Sequence, residues 1–136
     1  MSLSFTASTP ILDYLFGGTS FSNPSTFYIG LSTTTIQNNG SGATEPSTGA
    51  YSRVSLSNNK TTWAAAANGT LSNLITIAFP ESTLSWGTIT YVFLASGGTT
   101  GINDIWWFEA LGTPKTVAAQ TTVSFAPSAI TVSMIN

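Results

Sequence analysis

Apolar residues fall at helical spacing once, near the N-terminus, and at a spacing of two almost everywhere after it. Ile11, Leu12, Leu15 and Phe16 make a stripe that a helix over 9–16 would gather on one side. Thr9 can cap such a helix, Pro10 suits its first position, and Asp13 complements its positive end. Gly17-Gly18 then stops it, because glycine takes the left-handed cap conformation at little cost. Downstream, "TFYIGLS" sets Phe27, Ile29 and Leu31 on one face. "AYSRVSL" sets Val54 and Leu56 opposite Tyr51 and Arg53, and "LITIAF" turns Ile75, Ile77 and Phe79 inward. "TITYVFLAS" alternates Ile89, Tyr91, Phe93 and Ala95 against Thr90, Val92, Leu94 and Ser96. "TTVSF" and "AITVSM" alternate Ser or Thr with Val123, Phe125, Ile130, Val132 and Met134. These runs are rich in β-branched and aromatic residues, as half-buried strands require.

The connectors are turn-like: "GGTSFSNPS", "NNGSGATEPSTG", "ANGT", "FPESTLSWG", "ASGGTTGIND", "LGTPKT" and "APS". Short strands joined this way predict an all-β chain, a single-domain β-sandwich or jelly-roll-like fold or a small barrel, with one short N-terminal helix. Residues 1–136 form one β-domain in this reading, with 1–18 as a helical arm. Residues 37–49 are a flexible Gly/Ser/Thr/Asn loop of linker composition. One strand breaks the alternation. "DIWWFEAL" is apolar on both faces except at Glu109, and its adjacent Trp106 and Trp107 are expected to point to opposite faces. Both can be covered only if the helix, a second layer or a partner subunit lies on each side.

Composition removes most chemistry. The 136 residues contain no His and no Cys, which excludes imidazole bases, thiol nucleophiles, disulfides and zinc fingers. The net charge is −2, and Arg53, Lys60 and Lys115 are the only basic side chains. Nucleic-acid binding rests on several phosphate contacts, so no nucleic-acid partner is expected. No apolar run is long enough to span a membrane, and "MSLSFTASTPILDYLFGG" lacks the basic start of a signal peptide. Charged residues make up 6% of the chain, while Ser and Thr number 42 of 136 and carry solubility instead. A neutral polar surface of this kind packs against neighbours with little desolvation of charge.

Five carboxylates remain: Asp13, Glu45, Glu81, Asp104 and Glu109. Asp13 reads as helix-terminal, Glu81 and Asp104 as turn residues, and Glu109 as a marginal or paired group with Lys115 nearby. None has the partner that acid–base or nucleophilic work demands. No catalytic, cofactor-binding or metal-binding residues are expected, and "GGTTGINDI" offers too few carboxylates for calcium. The pattern Asn-x-Ser/Thr at Asn39, Asn59 and Asn68 arises by chance in such a chain, and Asn68-Gly69 is better read as a tight hairpin turn. The stretch "TEPSTGAYSRV" concentrates charge where there is little, with Glu45 and Arg53 around a Pro-Ser-Thr-Gly turn. Tyr51 and Arg53 are either a pair at a sheet margin or an interface anchor, because Tyr and Arg are enriched at hot spots. Tyr51, Arg53, Trp106 and Trp107 are the candidate interface residues.

The order of pieces then becomes informative. A short helix ending in Gly-Gly precedes "PSTFYIGLSTTT" and a Gly-rich loop into "EPSTGAYSRV". "NGTLSNLITIAFPESTLSWGTITYVFL" and "WWFEALGTPKTVAAQTTVSFAPSAITVSM" follow. Over nearly its whole length the chain resembles a family of small virion structural proteins of tailed bacteriophages, labelled tail fibre or head decoration (cement) proteins. The resemblance implies a protein of the phage particle, and the missing His and Cys with the scattered carboxylates predict no enzymatic activity. It implies a capsid decoration protein that binds the major capsid protein and itself as a homotrimer, bridging shell subunits. Its alternative is a tail-associated or tail fibre protein that contacts the host surface, and a hydrolase or lectin-like module is a third reading.

Overall fold

The computed structural model describes residues 1–134. Nine strands and one helix follow in the order β1 (Ser2–Leu3), α1 (Phe5–Gly17), β2 (Thr26–Ser32), β3 (Val54–Ser57), β4 (Thr70–Ser72), β5 (Ile77–Ala78), β6 (Gly87–Ala95), β7 (Ile105–Val117), β8 (Ser124–Phe125) and β9 (Thr131–Ser133). An antiparallel sheet of order β1-β7-β6-β2-β3 forms the body, and β4-β9 and β5-β8 are two-stranded ribbons. The all-β expectation with one short helix holds. The second layer is built from ribbons rather than from the second large sheet of a jelly roll.

The sheet is covered on both faces, which is why β2 and β6 lose their alternation. One face presents Ile29, Leu31, Leu56, Val92 and Leu94 to Trp63, Ile77, Phe79, Trp86 and Ile130 from the ribbon side. The other carries a smaller cluster of Ile36, Phe93, Ala95, Ile105 and Phe108. Gly30 stands opposite Phe93 in the β2–β6 register. A Cβ on Gly30 would lie 2.2 Å from the Phe93 ring, so only glycine leaves room for that side chain. The expected inward set Ile75, Ile77 and Phe79 is met at the last two, whereas Ile75 is exposed. The Asn68-Gly69 turn is as read. Both residues have positive φ, and Ala67 and Thr70 exchange backbone hydrogen bonds across it.

The helix starts five residues before the position expected from Thr9 and Pro10, with Ser4 as its cap and Phe5 as its first residue. Ser2 and Leu3 pair with Phe108 and Trp107 of β7, and the Ser4 N–H donates to the Trp106 carbonyl at 2.8 Å. The buried Ser4 hydroxyl donates to the Ile105 carbonyl, while the Ser4 carbonyl accepts from the Ser8 N–H at 2.9 Å. This long-range pairing fixes where helical geometry begins. Pro10 therefore sits inside the helix, where it has no N–H to donate to the Thr6 carbonyl. Asp13 lies beyond the first turn, and Gly18 closes the helix at φ 64° with its N–H on the Tyr14 carbonyl. Glu109 lies 3.5 Å from the Met1 amino group, rather than pairing with Lys115.

Candidate functional site

Two features gather the residues singled out in the sequence. The first is a buried clamp around Arg53. Tyr51 and Arg53 precede β3, which starts at Val54, so they are not carried on the outer face of a strand. Arg53 is turned inward and is 7% exposed. Its Nε and Nη2 donate to the two Glu45 carboxylate oxygens at 3.0 and 2.9 Å. Nη1 donates to Asp104 Oδ1 and to the Gly97 carbonyl, each at 2.7 Å, and Nη2 also donates to the Ile102 carbonyl at 2.8 Å. The five guanidinium N–H groups thus have five acceptors. The guanidinium also lies 5.1 Å from the Phe93 ring centroid. Burial works against the charge, but the hydrogen bonds from Glu45 and Asp104 outweigh it and hold the Arg53 pKa above its ordinary value.

Tyr51 completes the clamp. Its hydroxyl donates to Glu45 Oε1 at 2.8 Å and accepts from the Leu31 N–H at 2.8 Å. The ring packs against Phe79 and Trp86 in the main core. Burial, chiefly, and the Glu45 carboxylate push the phenol well above its ordinary pKa, against the opposing Leu31 hydrogen bond. Glu45 also accepts from the Gly101 N–H at 2.7 Å. The clamp therefore ties the 37–49 loop, the β6–β7 connection and the lead into β3 to one another. That loop is pinned elsewhere too, through Thr33 N–H to Thr44 O and Thr44 N–H to Ser32 Oγ, both 2.9 Å. Its linker-like composition hides a fixed path. Both Glu45 carboxylate oxygens draw their hydrogen-bond partners from the chain itself, and the described residues contain no cluster of metal-ligating side chains.

The second feature is an aromatic cleft between α1, β7 and the β4-β9 ribbon. Trp106 and Trp107 do not straddle β7 as expected. Leu94 pairs with Trp107 while Ala95 pairs with Ile105, so Trp106 is the extra residue of a β-bulge. The bulge brings both indoles to one side, 6.0 Å apart, where each packs edge-on against Phe27. With Trp63, Phe21, Leu71 and Val132 they line a cleft of about 490 Å³. Its polar side chains are few: Asn23, Asn58, Asn59, Lys60 and Thr70. Among the described residues, the indole N–H groups of Trp63 and Trp107 are buried without an acceptor. By contrast, Trp86 donates to the Gly49 carbonyl at 2.9 Å. Sequence reasoning missed Trp63 as a partner of the Trp pair. No local pattern places a residue from the 58–66 connection beside β7.

The cleft is largely apolar with isolated polar groups. A family model described as podophage GP4 fiber I protein gp80 matches residues 2–133. The chain belongs to this family. It is a virion structural protein of a tailed phage, found in the phage particle, as the resemblance implied. No curated protein matches it. A fibre family favours the tail over the head shell, so the decoration reading draws no support from this match.

Proposed function

We propose that the chain is a tail-associated fibre component that contacts the host surface, with the aromatic cleft as its contact region. The observation that carries this reading is the cleft itself, about 490 Å³ floored by three tryptophans on a chain of a fibre family. That volume falls within the range of ordinary ligand pockets. Indole faces suit the C–H face of a saccharide ring, and the amides of Asn23, Asn58 and Asn59 with the Lys60 ammonium suit its hydroxyls.

The test is competition for adsorption. Purified chain added to host cells should reduce adsorption of the phage that carries it. Trp107 is only partly buried, so Trp107→Ala should fold and compete about thirtyfold less well, the loss expected for a hot-spot tryptophan worth about 2 kcal/mol. Trp106→Ala removes a core ring and should cost about 3–5 kcal/mol of stability. Wild-type chain that leaves adsorption unchanged, or a folded Trp107→Ala chain that competes as well as wild type, would overturn the reading.

A further inference from the structure

The helix α1 faces the wrong way for a helix that serves only the core. Its buried residue is Ala7, and Ile11 lines the cleft. Phe5, Leu12 and Leu15 are each more than half exposed, and Phe16 is 86% exposed. Phe5 and Leu12 are one heptad apart, with Leu15 and Phe16 on the next turn, so the four make one stripe along the helix. A monomer in water gains nothing by presenting such a stripe, and contiguous apolar patches of this size mark interaction sites. The patch is centred away from the cleft and meets it at one edge, where Leu15 neighbours the cleft residue Ile11 one turn back.

We propose that this stripe is a self-association surface that seats the same helix of a second copy of this chain. Area supports that occupant. At roughly 200 Å² for a fully exposed large side chain, the four residues offer on the order of 500 Å². Covering the stripe on two copies removes about 1,000 Å², roughly the threshold that a biological interface has to clear. Charge supports it as well. Asp13 is the only charged residue in α1, so the stripe carries no charge pattern to select a different partner, while an apolar stripe is complementary to itself. Light scattering during size-exclusion chromatography of the full chain tests the proposal. Wild type is expected at no less than twice the 14.2 kDa of one chain. Leu12→Asp/Phe16→Asp should run at the mass of one chain with an unchanged circular dichroism spectrum. Phe16→Ser, a milder change at the most exposed position, should shift the midpoint of association to at least tenfold higher concentration. Leu84→Asp alters an exposed leucine outside the helix and should associate as wild type does. A monomeric wild type, or folded helix variants that keep the wild-type mass, would overturn it. These outcomes are independent of the adsorption assay, which reads the cleft.

Discussion

At Arg53 the identity of the side chain follows from donor geometry. Five N–H groups in a planar fork meet two carboxylates and two carbonyls contributed by two separate loops. A lysine offers three donors from a single nitrogen and cannot reach that arrangement. Removing one partner of a buried pair costs more than the pair is worth, because the other charge is stranded. The Glu45 side chain is 3% exposed, so Arg53→Met should cost about 3–5 kcal/mol. Urea unfolding followed by tryptophan fluorescence measures this, and an unchanged midpoint would refute it. Tyr51 gives the clamp a pH dependence with a definite sign. Its folded pKa lies above the ordinary value of 10.0. The native state therefore favours the neutral phenol, a contribution complete below about pH 10 and lost as pH rises toward the folded pKa. Stability should fall in alkali, with Tyr51 ionising only as the chain unfolds. Tyr51→Phe should be less stable at neutral pH, having lost its bonds to Glu45 and Leu31, and its stability should decline less steeply above pH 10. Melting temperatures for both chains across that range, with tyrosinate absorbance as the readout of ionisation, decide the matter.

At the scale of elements, what was legible in the sequence was whatever is decided locally. The strands β2, β3, β6 and β7 follow from β-branched and aromatic runs, and the helix stop follows from Gly17-Gly18. The Asn68-Gly69 turn follows from two residues that accept positive φ. What was illegible is decided by partners far along the chain. The helix start is set by Ser2–Ser4 pairing with β7, about 100 residues away by the Ser4–Ile105 separation. Local capping signals at Thr9 and Pro10 are overruled by that ladder. The bulge at Trp106 leaves no trace in composition, yet it reverses which face one indole occupies and so creates the cleft. The clamp was half legible. "TEPSTGAYSRV" announced that Glu45 and Arg53 belong together, but Asp104 and the carbonyls of Gly97 and Ile102 come from another loop. For the same reason residues 37–49 read as a linker by composition, whereas Glu45 anchors them in the core.

The whole molecule combines a sparsely charged body with two apolar features on its exterior, the cleft and the helix stripe. Charged residues make up 6% of the chain, so long-range electrostatics neither steers it nor repels copies packed side by side. A subunit built this way attaches through apolar and neutral polar contact, and such contact is only weakly screened by salt. Membership of a fibre family points to the tail, and the position in the particle is open to direct observation. Gold-labelled antibody against the chain, applied to intact particles, should gather at the tail, and washing in high salt should not remove the signal. A chain that instead bridged shell subunits would mark the whole head surface, because shell sites repeat by symmetry over the capsid. Label spread evenly over the head would return the decoration reading to first place and remove the cleft from contact with the host. Label confined to the tail but lost in salt would mean that charged groups hold the attachment. The sparse charges of this chain would then have to be matched by a strongly charged partner surface.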